Sequence, residues 1–170
     1  MSAIEKMGKV PLFLENAAKA AAGVYQIKNQ EDLAAMISEL VSKGTAVFCS
    51  RSAKLEKSVT ARLSNLVSEY SLASVTIEQV SAAIAETGSI VSDSTGGRAV
   101  QASLIPSHHV AIVPSKKIFS TLDDFFEKLA AEPPTNITLI TGPSRTADIE
   151  LEIEIGVHGP ERLDIIVVGD

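Results

Sequence analysis

Three glycine-containing segments carry the residue types that bind small anions. They are Glu86–Ser89, Ser94–Arg98 and Thr141–Arg145. Glycine lets backbone amides approach an anion closely, and an arginine side chain can pair with a carboxylate or a phosphate. The three segments therefore predict a small-anion site, although each of them alone also fits a simple sharp bend of the chain.

Arg145 is the residue expected to make the main contact with a ligand. Its guanidinium would bind a carboxylate in a planar, bidentate contact, and the amides of Gly88 and Ser144 would donate further hydrogen bonds. An arginine with a purely structural role would instead form a surface ion pair with Asp148. The predicted ligand-binding residues are Glu86, Thr87, Gly88, Gly142, Pro143, Ser144, Arg145, Asp148 and Gly159, with Arg98 and Cys49 as weaker candidates.

Histidine and cysteine are sparse. His108 and His109 are adjacent, so on a strand they point to opposite faces, and three scattered histidines with one cysteine do not match a zinc site. His158 is the candidate catalytic acid or base, with a turn-stabilising hydrogen bond as the alternative. Cys49 cannot form a disulfide within the chain or hold an iron–sulfur cluster by itself. It is either a small buried hydrophobic residue or, beside Arg51, a reactive thiol.

Apolar patterns that alternate between helices and strands predict an α/β fold with a mostly parallel sheet flanked by helices. Three helices are expected: one between the cap Asn29 and the stop Gly44, one from Ser52 to Tyr70, and one between Thr121 and Pro133-Pro134. The strands are predicted at Thr45–Cys49, Ala73–Thr76, Ala82–Glu86, Ser89–Ser92, His109–Val113, Ile137–Thr141 and Leu163–Val168. Ligands of such sheets bind beyond the carboxyl ends of the strands, where the glycine turns are expected.

The segment from Asp148 to Ile155 alternates acidic and apolar residues, which is typical of a strand with one apolar and one acidic face. We expect it to form a C-terminal antiparallel hairpin with Leu163–Val168. The whole net charge of −6 lies after residue 147. The acidic face is either solvated surface or a docking face for a partner of complementary charge.

Length and composition are those of a globular protein with one domain. The 170 residues can bury a hydrophobic core, and we expect a domain over residues 11–170 that follows a flexible stretch at 1–10. No apolar run approaches the length of a membrane span and no signal peptide is visible, so a cytoplasmic protein is expected. The absence of a concentrated basic face argues against nucleic acid as a partner.

Several motifs resemble those of one known family. The AETGS turn within Ala82–Val91, the run GPSRTADIE within Thr141–Glu150, and the run GVHGP at Gly156–Pro160 are similar to signatures of the LUD domain of the lactate-utilisation protein C family. The resemblance covers Ala82 to Val168, and Ser89 stands where the family usually has threonine. It implies a fold similar to the NagB/RpiA/CoA-transferase type.

The resemblance also implies a function. Family members take part in the oxidation of L-lactate to pyruvate beside partner proteins that carry iron–sulfur clusters. This chain would then be a non-redox subunit of the complex that binds a small carboxylate or assembles the complex. Two other interpretations stay open: a stand-alone isomerase or acyltransferase acting on a phosphorylated or CoA-linked substrate, and a purely structural or regulatory subunit. The chain itself is expected to bind no metal, flavin or iron–sulfur cofactor.

Overall fold

The computed structural model describes residues 7–29, 31–50, 55–147, 153–155 and 159–169. The α-helices are α1 (Lys9–Lys19), α2 (Leu33–Leu40), α3 (Leu55–Thr60) and α4 (Leu122–Leu129). The strands are β1 (Gly23–Ile27), β2 (Val47–Cys49), β3 (Val75–Gln79), β4 (Ala82–Ile84), β5 (Ser89–Asp93), β6 (His108–Pro114), β7 (Ile118–Phe119), β8 (Ile137–Ile140), β9 (Arg145–Ala147), β10 (Ile153–Ile155) and β11 (Arg162–Val168). Short 3-10 turns lie at Tyr70–Leu72, Thr95–Gly97, Val100–Ser103 and Ser115–Lys117.

A parallel sheet of five strands forms the centre of the fold. Its strand order is β1-β11-β6-β3-β2, and every neighbouring pair runs parallel. The inner strands β6 and β11 are buried along most of their length, as their unbroken Val and Ile runs indicate. The predicted α/β fold with a mostly parallel sheet is therefore confirmed.

A second sheet of four strands packs beside the first. Its order is β7-β4-β5-β8, with β5 antiparallel to both β4 and β8, and β4 parallel to β7. Only Val80 and Ser81 separate β3 from β4, so the chain passes directly from one sheet to the other. This short connection brings the carboxyl end of β3 close to the second sheet.

Three hydrophobic clusters hold these layers together. On one face of the parallel sheet, Phe13 and Ala17 of α1 pack with residues of β6, β11 and the second sheet. On the opposite face, Leu33 and Ile37 of α2 cover the same strands. Phe125 of α4 packs on the far side of the second sheet. Because α1 lies against both sheets, it can contact the turns at their edges.

Two predicted elements differ from the structure. The helix predicted over Ser52–Tyr70 ends at Thr60, because the chain beyond it bonds along the edge of β2: Val47 N donates to Asn65 O, and Val67 N donates to Val47 O. Leu66 and Val67 therefore lie in extended chain beside β2 and not on a helix. Helix α1 begins at Lys9, inside the stretch predicted to be flexible, and neither α1 nor β1 was predicted.

The antiparallel pairing near the C-terminus involves a different partner from the one predicted. Strand β10 pairs with β9, whereas β11 lies between β1 and β6 in the parallel sheet. The apolar run Ile165–Val168 of β11 is buried on both faces there, which a two-stranded hairpin would not provide. Residues 148–152 of the acidic segment lie outside the described residues. In the part of the chain that is described, no helix combines the length and apolar character that a membrane span needs.

Candidate functional site

The first and third glycine turns meet at one edge of the second sheet. Ser89 Oγ lies 2.7 Å from Thr87 Oγ1 and 2.6 Å from Thr141 Oγ1, so three hydroxyl groups connect the turns. One turn follows β4 and the other follows β8. The convergence arises in the mixed sheet, not in the parallel sheet from which it was expected.

Gly88 and Gly142 allow helix α1 to approach this edge. Both have a left-handed backbone, with φ of +70° and +80°. A Cβ atom on Gly88 would lie 2.3 Å from Ala17 N, and one on Gly142 would lie 2.0 Å from Ala20 O. Side chains at these positions would collide with the backbone at the end of α1. The structure thus gives both glycines a packing role.

The backbone amides expected to bind a ligand are already paired. Gly88 N donates to Ile84 O over 2.9 Å, and Ser144 N donates to Pro160 O over 2.8 Å. Turn closure uses both amides in this structure, so their predicted donation to a ligand receives no support from the geometry. The Glu86 carboxylate is likewise engaged, since it accepts a hydrogen bond of 2.6 Å from Leu122 N at the start of α4.

Arg145 lies at a pocket of about 480 Å³ beside these turns. Pro143, Ser144 and Gly159 line the same pocket, together with apolar residues that include Leu104 and Ile140. Among the described residues that line it, Arg145 carries the only charged side chain, and that side chain is exposed. Asp148 and His158, predicted to assist it, lie outside the described residues.

A larger cleft lies beyond the carboxyl ends of β3 and β6. Its volume is about 930 Å³. Its walls come from the β3–β4 connection, the Thr95–Gly97 turn, the turn after β6, and α4. The charged residues among them are Asp93, Arg98, Lys116, Lys117, Lys128 and Glu132. This is the edge at which open α/β sheets usually bind ligands.

Arg98 forms part of the wall of this cleft, but its guanidinium is engaged by the protein. Nε donates to Thr95 O, Nη1 to Gln79 O, and Nη2 to both Ser81 Oγ and Asp93 Oδ1, over 2.9–3.1 Å. These contacts use most of its five N–H groups. In this structure Arg98 holds two strand ends together, so the prediction that it binds a ligand receives no support from its geometry.

Beneath Arg98 lies a buried polar cluster that the sequence did not reveal. Glu78 accepts hydrogen bonds from Ser92 and Ser103, and its carboxylate is 4.0 Å from Arg98 Nη1. His109 Nε2 is 3.4 Å from Glu78 Oε2, which is ion-pair distance without hydrogen-bond alignment. Burial raises the pKa of Glu78, but His109 and the two hydroxyls outweigh it, so the pKa falls below the ordinary value. The carboxylate is therefore ionised at neutral pH.

Asp93 continues this cluster toward the cleft. Burial raises the pKa of Asp93, but hydrogen bonds from Ser81 and Thr95 and the charge of Arg98 outweigh burial. The pKa of Asp93 therefore lies below its ordinary value. A sequence signal existed for the cluster: the acidic residue Glu78 follows Val75 and Ile77 in a strand whose first four residues are buried. A polar residue in such a strand needs a buried partner.

The adjacent histidines point to opposite faces of β6, as predicted. His108 Nε2 lies 2.7 Å from Asp164 Oδ2, on the face away from Glu78, and Arg162 Nε contacts the same oxygen at 2.7 Å. Burial raises the pKa of Asp164, but the bond to His108 and the charge of Arg162 lower it below its ordinary value. This cluster lies at the amino ends of β6 and β11. Cys49 is half-buried at the end of β2 and packs against the core.

The LUD domain family matches residues 59–168, which is well over half of the chain. This chain belongs to the LUD domain family. The match includes both turns and most of the residues around the larger cleft, whereas α1 lies outside it.

Curated relatives match between half and two thirds of the chain. The chain is similar to "Lactate utilization protein C" of Exiguobacterium sp., with 35% identity over 58% of this chain and 45% of the relative. The proteins of the same name from Macrococcus caseolyticus and Deinococcus radiodurans are 36% and 42% identical over 61% and 51% of this chain. They are covered over 47% and 42% of their own length. The chain thus spans about half the length of these relatives.

A solved structure shares the fold. A DUF162 family protein from Deinococcus radiodurans superposes with a TM-score of 0.73 and covers 99% of each chain at 24% sequence identity. This likeness supports the arrangement of strands and helices described above.

Proposed function

We propose that this chain functions in lactate utilisation as a non-redox subunit that binds a small carboxylate through Arg145. The observation that carries the proposal is the position of Arg145, the one charged side chain among the described residues at a pocket formed by the GPSR segment. Relatives that match 51–61% of this chain are named "Lactate utilization protein C". Lactate and pyruvate are carboxylates of the size that such a pocket admits.

The pocket offers complementary chemistry for such a ligand. A guanidinium can form two parallel hydrogen bonds with a carboxylate, which fixes the orientation of a small acid. The apolar side chains of Leu104 and Ile140 line the same space and would contact the methyl group of lactate. Arg145 would therefore bind the charged end of the molecule while the wall accommodates its apolar end.

Electron transfer in this proposal belongs to partner proteins. The single cysteine, Cys49, cannot supply the thiolates of an iron–sulfur cluster. The chain would present lactate or pyruvate, or assemble the complex, while cytoplasmic partners that carry the clusters perform the oxidation. The acidic segment from Asp148 to Glu154 would then be available as a docking face for a partner.

Calorimetric titration of lactate and pyruvate into the wild type and an Arg145→Lys variant tests the proposal. Lysine keeps the charge but lacks the planar fork, so we expect affinity to fall by about tenfold or more. The melting temperature should stay close to that of the wild type, because Arg145 is exposed. Arg62→Lys, an exposed arginine in the turn after α3, is the matched control.

Two results would contradict this function. If the wild type binds neither acid, or if Arg145→Lys and Arg62→Lys bind equally well, Arg145 is not the carboxylate contact. A complex with iron–sulfur partners that assembles and oxidises lactate normally with the Arg145→Lys chain would favour the structural or regulatory interpretation.

A further inference from the structure

The larger cleft has an excess of positive charge. Lys116, Lys117 and Lys128 line it with exposed side chains. Asp93 is paired with Arg98 at 3.1 Å, so Glu132 is the remaining carboxylate among the described lining residues. Lys117 and Lys128 alone place two ammonium groups at a cleft with this one remaining carboxylate, in a chain whose overall charge is −6. A ligand with more than one negative charge would be attracted to this cleft.

The same cleft has an aromatic wall. The rings of Phe119 and Phe125 lie edge to face with their centroids 5.5 Å apart. Lys128 Nζ lies 5.6 Å from the centre of the Phe119 ring, which places a positive charge beside the apolar surface. A ligand that combines a flat apolar part with a charged part would match this arrangement.

The rim opposite α4 is open and firmly anchored. Gly96 and Gly97 have left-handed backbones, and a Cβ atom on either would meet no described atom within 4 Å. Arg98 holds this turn to the ends of β3 and β5 through its bonds to Thr95, Gln79 and Asp93. These bonds connect this side of the cleft to the two sheets.

From these features we infer that the cleft is a second ligand site, for an organic phosphate that carries a flat apolar group, as a nucleoside diphosphate does. Its volume of about 930 Å³ is near the upper end of the range for small-molecule sites and far larger than a three-carbon acid needs. Lys117 and Lys128 bind the phosphates, and the base packs against Phe119. The site is separate from the Arg145 pocket and does not depend on the function proposed for that pocket.

Calorimetric titration of ADP without divalent cations tests this inference. The wild type should bind ADP saturably, and adenosine and inorganic pyrophosphate each at least about tenfold more weakly, because each lacks one half of the recognised chemistry. A Lys117→Gln/Lys128→Gln chain should lose about tenfold or more in ADP affinity. The matched control is Lys43→Gln/Lys57→Gln, which removes two exposed lysines outside the cleft.

The inference is overturned if the wild type shows no saturable binding of ADP at millimolar concentration. It is also overturned if the control loses as much affinity as the cleft variant, or if pyrophosphate binds as tightly as ADP. Lactate titrated into the Lys117→Gln/Lys128→Gln chain reports on the Arg145 pocket alone, so failure of one site is distinguishable from failure of the other.

Discussion

Gly142 and Gly97 share a left-handed backbone, with φ of +80° and +74°, but their surroundings differ. A Cβ atom on Gly142 would lie 2.0 Å from Ala20 O, whereas one on Gly97 would meet no described atom within 4 Å. The first glycine allows a close contact between a turn and helix α1, and the second belongs to the turn whose Gly96 lines the larger cleft. A glycine in a motif can therefore be needed for packing and not for ligand binding. The space around its Cα distinguishes the two roles.

The largest effect that follows from this comparison is expected for Gly142→Ala. The new methyl group would collide with backbone, and the residue would also bear the strain of a positive φ, so we expect the free energy of unfolding to fall by about 4 kcal/mol. Urea denaturation measures it. A loss below about 1 kcal/mol would show that α1 is not pressed against this turn.

The next effect concerns the buried polar cluster of Glu78, His109 and Asp93 beneath Arg98, which we call the cleft floor. Glu78→Gln removes the buried carboxylate beside His109, whereas Arg98 keeps its pair with Asp93, and removal of one partner of a buried pair costs about 3 kcal/mol or more. Urea denaturation of Glu78→Gln beside Glu39→Gln, an exposed control on α2, checks it. Equal stability of the two variants would mean that the buried cluster contributes nothing to the fold.

Acid should weaken the cleft floor. The folded-state pKa values of Glu78 and Asp93 lie below their ordinary values of 4.5 and 3.8, so the unfolded chain binds protons at a higher pH than the folded chain. The stability that these carboxylates contribute is present above those ordinary values and is lost as the pH falls through the folded pKa values. Urea denaturation across this range should give a shallower acid limb for Asp93→Asn than for the wild type. Parallel limbs would contradict the prediction.

The smallest effect is expected at the open rim. Gly97→Ala adds only backbone strain, so the free energy of unfolding should fall by about 1–2 kcal/mol. The difference in unfolding free energy between Gly97→Ala and Gly142→Ala gives the cost of the collision without the cost of the left-handed backbone. If both variants lose the same stability, packing against α1 is not what distinguishes the two glycines.

The parallel sheet is predictable from the sequence because its inner strands are buried on both faces. The unbroken apolar runs of β6 and β11 indicate that burial directly. It also indicates the two turns, since glycine and hydroxyl residues follow strands there. It does not reveal that α1 covers Gly88, because that contact joins positions far apart in the chain. No local pattern encodes such a contact.

The cleft shows the same limit in its side chains. The segment that contains Gly96, Gly97 and Arg98 has the residue types of an anion site. Arg98 nevertheless donates its hydrogen bonds to Gln79 and Asp93, because β3 and β5 end next to it. The apolar residues from Leu55 to Tyr70 have helical spacing. Residues 65–67 are nevertheless extended, because their backbone forms hydrogen bonds with Val47 of β2. In both cases a tertiary partner determines the outcome.

The order of the parallel sheet has a consequence for synthesis on the ribosome. The first strand, β1, and the strand β6 each bond to β11, and Tyr25 in β1 contacts Asp164 in β11 across 139 positions of chain. Until β11 emerges, β1 and β6 lack their shared neighbour, and both present unpaired, apolar edges. Such edges favour association with other chains, so a nascent chain is open to aggregation until β11 has left the ribosome.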